Sequence, residues 1–443
     1  QEVDYRLLVG GMAKLVLEID DAARLPEHVH RAFRTATSGR PGPVVLVLPE
    51  DMLTDRVEVA DGIAAEPAIA WPDPAAIDRL HELLARAERP MVILGGSTWD
   101  SAGRTALERW IDANDLRVAC GFRRQSLFDN LHRCWAGMVG LGPDPQLAQR
   151  VKEADLLIAF GSRLSETATG GYTLLSPPRM GKTFVQIHPD PHEIGRVYQP
   201  DLAIAADLSA TAIALAGHAP VASRPWAAEA ETLHARYLAF SGRVESPGTL
   251  NMAEVVRQLQ ERLPADAVVC NGAGNFATWV HRFWRYRMPG SQLAPTSGSM
   301  GYGLPAALGA AVAAPSRAVV AFAGDGDFMM TCQELATAVQ AEAKLLVIVV
   351  DNGMYGTIRM HQEREHPGRV SGTALKNPDF AAMARAMGAH GATVRATAEF
   401  APALDAALAA GGPALLHLIQ DPEAITPVRS LTKIREEAQA AGR

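Results

Sequence analysis

Apolar positions fall into short buried runs separated by helical stretches. In the first block, residues 1–56, a helical pattern runs from Asp20 to Thr37 and meets the loop Ser38-Gly39-Arg40-Pro41-Gly42-Pro43. The run Val44 to Leu48 follows and stops at Pro49. A helix, a Gly/Pro turn and a β-branched run predict an α/β unit. Residues 57–73, with Pro67 and Pro72, read as a linker. The second block, 74–215, alternates a helix (75–87) with apolar strands at 91–94, 154–160 and 183–188. Two of these strands end in glycine turns and the third in an Asp-Pro turn, which predicts a parallel sheet with ligand-facing loops. A second linker is expected at 216–248, a third α/β block at 249–420 and a polar tail at 421–443.

The densest chemistry lies in the third block. Ala318 to Ala323 reads as a buried strand and ends at Gly324-Asp325-Gly326. Thr331-x-x-Glu334 has the form of a capping box opening a helix, and Lys344 to Val350 reads as a second strand. Strand, helix, strand in this order gives a right-handed parallel crossover, so both strands finish at one edge of the sheet. Asp325 and Asn352 then face each other there. One carboxylate and one amide oxygen are hard ligands suited to Mg²⁺, which takes its other ligands from phosphates and water. Gly324 and Gly326 allow close backbone approach to an anion at a helix start. The bland alternative is a tight turn in which Asp325 only caps the following helix.

Composition narrows the classes. The chain has 443 residues, 42 basic and 49 acidic, for a net charge of −7. No basic block argues for nucleic acid, and no apolar run reaches the roughly 20 residues of a membrane span. Cys120, Cys134, Cys270 and Cys332 are widely spaced. They predict neither a disulfide framework nor a zinc site, and they fit a cytoplasmic location.

Gly324-Asp325-Gly326 followed by Asp351-Asn352 resembles the motif of the thiamine-diphosphate-dependent enzymes, whose second element is Asn-Asn. The chain is most similar to the acetolactate synthase catalytic subunits and related 2-oxo-acid decarboxylases and carboligases. By that resemblance Asp325, Asn352 and the backbone carbonyl of Met354 would hold Mg²⁺. Ser297-Gly298-Ser299-Met300-Gly301-Tyr302-Gly303 resembles the segment that receives the aminopyrimidine ring. Gly298 would accept from the exocyclic amine, and Met300 would wedge the two cofactor rings into a V. Asn271-Gly272-Ala273-Gly274-Asn275 resembles a turn that contacts the diphosphate, which implicates Gly274 and Asn275. Gly324, Gly326, Asp327, Met354 and Tyr355 complete the expected cofactor contacts. Core filling remains the plain alternative for Met300, and an ordinary turn for Gly274 and Asn275.

The resemblance implies a three-domain α/β architecture of doubly wound parallel sheets with the first domain truncated. The catalytic glutamate of the pyrimidine-binding domain is expected to be missing from the chain, along with roughly a hundred residues. It implies decarboxylation and carboligation of 2-oxo acids, with a simple decarboxylase or other C–C lyase of the benzoylformate or indolepyruvate type as alternative. A non-catalytic cofactor-binding homologue and a nucleotide- or CoA-binding protein working through its middle block are the others. It implies a homodimer or homotetramer. Acetolactate synthases carry a tryptophan where His361 stands, so Arg359 and His361 are candidate holders of a substrate carboxylate, or else a solvated helix face. FAD in the middle domain is also implied by the turns at Arg163 and Asp190. Gly137-Met138-Val139-Gly140-Leu141-Gly142 lacks the histidine of the flavin-contacting pattern and leaves FAD open.

Overall fold

The computed structural model describes residues 2–442. The strands follow in chain order: β1 (Leu15–Glu18), β2 (Val44–Val47), β3 (Pro90–Leu94), β4 (Arg117–Cys120), β5 (Trp135–Met138), β6 (Leu156–Phe160), β7 (Thr183–His188), β8 (Leu202–Ala205), β9 (Val268–Asn271), β10 (Gln292–Leu293), β11 (Val319–Gly324), β12 (Leu346–Asp351), β13 (His390–Val394) and β14 (Ala414–Ile419). The chain is α/β, as expected. It sorts into two compact units, residues up to 118 with 149–228, and 119–148 with 229 onward.

In the first unit β1 and β2 form a parallel pair. Strands β3, β6, β7 and β8 lie side by side, all parallel. Helix Pro74–Arg86 starts where Asp73 accepts the N–H of Ala75 with proline at the first helical position. Both features satisfy or remove orphan donors. The full order of the sheet that holds β3 is β5-β4-β3-β6-β7-β8, which keeps β4 and β5 with the middle block, although residues 119–148 are counted with the second unit by their packing.

The second unit is built on a parallel six-stranded sheet in the order β10-β9-β11-β12-β14-β13. Its central strands β11 and β12 are buried apart from Asp351 at the end of β12. The two-residue period explains this. Val320, Phe322, Ile348 and Val350 join one apolar core, while Val319, Ala321, Val347 and Val349 join another on the opposite face. Strands β11 and β12 are direct neighbours, with Gly324 paired to Val350. Asp325 and Asp351 therefore leave the sheet side by side. Chain order places β10 on one side of β9 and β11 on the other, so the order of strand addition, not their direction, reverses between β9 and β11. Ligand crevices form outside the carboxyl ends of strands at such a reversal.

Two local expectations change. Thr331 and Glu334 do not form a capping box. The helix is Glu334–Gln340 with no side-chain cap, because the Thr331 hydroxyl donates to the carbonyl of Gly301 at 3.0 Å instead. The polar stretch 421–443 holds the helix Leu431–Ala440, which buries Leu431, Ile434 and Ala438. Within 216–248, helix Glu229–Phe240 buries Leu233 and Tyr237.

Candidate cofactor site

A cavity of about 250 Å³ opens at the carboxyl ends of β9, β11 and β12. The turn after β9 contributes Ala273, Gly274, Asn275 and Phe276, and the loop before helix Gly303–Ala313 contributes Gly298 and Met300. Gly324, Asp325, Gly326 and Asp327 line it from β11. From β12 come Asn352, Met354, Tyr355, Gly356, Thr357 and Ile358, and Gln420 follows β14. Every residue singled out for cofactor or metal contact therefore borders one space.

Arg359 and His361 do not line it. They sit on helix Gly356–Glu365, where Arg359 Nε donates to Thr373 at 2.7 Å and His361 Nδ1 lies 2.7 Å from Arg364. Phe276, Thr357 and Gln420 were not singled out from the sequence. Thr357 is readable in part, since it lies two residues beyond the Met354-Tyr355 pair, in the first turn of helix Gly356–Glu365. Its hydroxyl donates to Asn275 Oδ1 at 2.9 Å and ties the β12 loop to the β9 turn.

Asp325 is 4% exposed. Its Oδ1 accepts the N–H of Gly326 at 2.9 Å and its Oδ2 accepts from Asn377 at 2.8 Å. Within the short helix Asp325–Phe328 it takes only the N–H of Gly326, and its other oxygen is met by Asn377 rather than by a helix amide. Burial pushes its carboxyl up to about 6, and the neighbouring Asp351 charge adds to this, while the bonds from Asn377 and Gly326 oppose it. Burial acts the same way on Asp351. There, however, hydrogen bonds from His417, Asn377 and Gly353 outweigh it and hold the carboxyl below its usual range.

Asp327 packs where a Cβ at Gly272 would stand only 2.0 Å from Oδ2. Its Oδ1 accepts from Gly301 at 2.7 Å and from Ala273 at 3.3 Å. Oδ2 is buried without a hydrogen bond. Burial pushes this carboxyl up to about 6 as well. Gly301 has φ +77, a conformation that favours glycine, and its peptide is held at both ends by Asp327 and Thr331. The loop carrying Met300 is thereby fixed from the segment that follows β11. At Gly326 a Cβ would lie 2.5 Å from the Tyr355 ring, so glycine lets that ring close onto the backbone here.

The donor set fits a divalent cation. Asp325, the amide oxygen of Asn352 and the carbonyl of Met354 are all oxygen donors, and the cavity has two glycines, Gly324 and Gly326, at a helix start. The flavin-linked turns fit less well. Arg163 donates to Glu193 at 3.2 Å, and Arg40 and Arg196 converge on the same buried carboxylate. With its cation engaged there, Arg163 is assigned no role toward a flavin.

Comparison with known proteins bears on the same residues. The family described as "Thiamine pyrophosphate enzyme, C-terminal TPP binding domain" matches residues 272–418, and "Thiamine pyrophosphate enzyme, central domain" matches 77–215. The chain is 31% identical to the acetolactate synthase isozyme 2 large subunit of Escherichia coli over 430 residues, 95% of this chain and 76% of that one. It belongs to the thiamine-diphosphate-dependent enzymes. The acetolactate synthase large subunit of Corynebacterium glutamicum is 28% identical, covering 92% of this chain and 67% of the relative. The probable acetolactate synthase large subunit of Methanocaldococcus jannaschii is also 28% identical, with 97% and 75% covered. The TPP-binding match begins at Gly272 in the β9 turn and runs through β14, so it spans almost the whole wall of the cavity. Among the described residues no helix is long and apolar enough to cross a membrane.

Proposed function

We propose that the chain binds thiamine diphosphate with Mg²⁺ and supplies the cofactor-holding part of a site for decarboxylation and carboligation of 2-oxo acids, in the manner of an acetolactate synthase. The observation that supports this best is the meeting of Asp325, Asn352 and Met354 with Gly298 and Met300 around one cavity at the reversal point of the sheet. When bound, thiamine diphosphate would supply a nucleophilic carbon and an electron sink for the pair left by departing carbon dioxide.

The chain's own residues supply binding and geometry. Asp325, Asn352 and the Met354 carbonyl hold the cation. Gly324 and Gly326 let backbone amides approach the diphosphate, with Gly274, Asn275, Asp327 and Tyr355 around it. Met300 is the wedge, and Gly298 offers its carbonyl to the aminopyrimidine. Met300 and Tyr355 are each 37% exposed at the cavity. That exposure suits a site completed by a second subunit, and we assign at least a homodimer. A cytoplasmic location suits four free cysteines.

Isothermal titration with thiamine diphosphate and Mg²⁺ tests the reading. Binding is expected for the unaltered chain and its loss for Asp325→Ala. Binding indifferent to that substitution would sink the assignment. Mass analysis of the products from pyruvate then separates ligation from simple decarboxylation.

A further inference from the structure

Asn377 lies on the loop before helix Phe380–Ala386, far in sequence from the Gly-Asp-Gly turn. Its single amide nitrogen donates to Asp325 Oδ2 and to Asp351 Oδ1, each at 2.8 Å. The other oxygen of Asp351 lies 2.8 Å from Nε2 of His417, on the neighbouring strand β14. His417 and Asp351 are both largely enclosed, with side chains 6% and 12% exposed. The result is a chain of three short hydrogen bonds, His417–Asp351–Asn377–Asp325. It ends on a carboxylate whose Oδ1 is also held, by the N–H of Gly326.

Two carboxylates leave adjacent strands here, and side by side they repel. A bridging NH₂ group answers this in one move, because each of its hydrogens meets one of the carboxylates. His417 supplies the opposite polarity for Asp351. Both lone-pair directions used by Gly326 and Asn377 are fixed, so the directions left on Asp325 are fixed too. These are what a cation would meet.

We propose that Asn377 is a positioning residue for the divalent cation, aiming Asp325 through a relay anchored by Asp351 and His417. This rests on Asp325 being a metal ligand. The relay gives Asp351 a use of its own: it need not touch the cation, and it serves as the acceptor that fixes the Asn377 amide. Partners of this kind set ligand orientation, and their removal characteristically weakens metal affinity by about 10–100-fold.

The test is Mn²⁺ binding at saturating thiamine diphosphate, read from the electron paramagnetic resonance signal of free Mn²⁺. Asn377→Leu keeps the volume and removes both donors. Its Mn²⁺ affinity is expected to fall by about 10–100-fold. His417→Gln, which keeps a donor toward Asp351, is expected to fall less. Asn377→Ser retains one short donor and serves if the leucine variant does not fold. Because affinity is measured on folded protein, a purely structural role would leave the constant unchanged. An affinity within twofold of the unaltered chain for both Asn377 variants overturns the proposal. The Asp325→Asn control separates the two levels. If it leaves Mn²⁺ binding intact, the metal assignment itself fails. If it abolishes binding while the Asn377 variants bind normally, the assignment stands and only the relay is wrong.

Discussion

At the scale of single residues the site is governed by buried carboxyls. Asp325 and Asp327 are both pushed from 3.8 up to about 6, chiefly by burial. Between those two values the folded chain holds protons that the unfolded chain has already lost. Without metal, stability therefore falls as pH rises through that window, the reverse of the usual carboxylate contribution. A cation needs the ionised form, so Mg²⁺ affinity is expected to drop about tenfold per pH unit below about 6. Titration calorimetry near pH 5 and pH 7 checks this, and equal affinities would refute it. Asp327 carries a second prediction. Asp327→Ala removes the acceptor for the Gly301 and Ala273 amides, and an unpaired buried donor costs about 1–3 kcal/mol. Thiamine diphosphate affinity should fall by about tenfold or more, while Asp327→Asn, which keeps an acceptor, loses less. Asp325 and Asn352 were readable because strand and motif place them within one crossover. Asn377 and His417 were not. Their bonds to the site join residues 52, 26 and 66 positions apart, and no local pattern marks a loop asparagine or a strand histidine as a partner of a distant turn.

At the scale of elements, the helices that follow the metal loop show where local reading stops. The capping-box spacing at Thr331 was real, but the Gly301 carbonyl claimed the hydroxyl, and a tertiary partner overrode a local one. The tail reads as polar by composition, yet Leu431, Ile434 and Ala438 share one helical face at i, i+3 and i+7. That face packs with Met354 and Ile425 and so bears on the loop that offers the Met354 carbonyl. Arg435 reinforces it with two hydrogen bonds, at 2.8 and 2.5 Å, to Glu363, whose side chain is fully enclosed. Those bonds outweigh burial and hold the Glu363 carboxyl below its usual range. Arg435→Ala would leave a buried carboxylate without its cation. The cost is discounted because Arg435 is itself partly exposed, to about 2 kcal/mol. Thermal unfolding should show that loss, and the cofactor should bind more weakly because its loop is less supported. A melting temperature unchanged within about 1 °C would mean the pair contributes nothing measurable, as many surface pairs do.

At the scale of the whole molecule, residues 119–148 answer to two settings. The alternation of strands and helices assigns this segment to the middle block, and β5 does lie in the sheet ordered β5-β4-β3-β6-β7-β8, while the loop between β4 and β5 packs within the second unit. The ties of that loop are polar, so hydrophobic periodicity gave no sign of them. Asn130, fully buried, exchanges two bonds with Tyr286: its N–H donates to the Tyr286 carbonyl at 2.8 Å, and its Oδ1 accepts the Tyr286 N–H at 2.9 Å. Gln125 donates to the His281 carbonyl at 2.6 Å and to nothing on the middle sheet, while its own N–H reaches Gln292 at 2.7 Å. Four buried or half-buried bonds of this kind, each expensive to leave unmade, tie the loop between β4 and β5 into the second unit. Native-state hydrogen exchange should therefore find the amides of Gln125 and Asn130 opening together with those of Val269 and Tyr286. Their opening free energies should match within about 1 kcal/mol, as expected of one cooperative unit. Asn130→Ala should lower all of these values together and leave the amides of β6 and β7 unchanged. If the amides of Gln125 and Asn130 instead opened with those of β6 and β7, these bonds would not tie the loop into the cooperative unit of the second sheet.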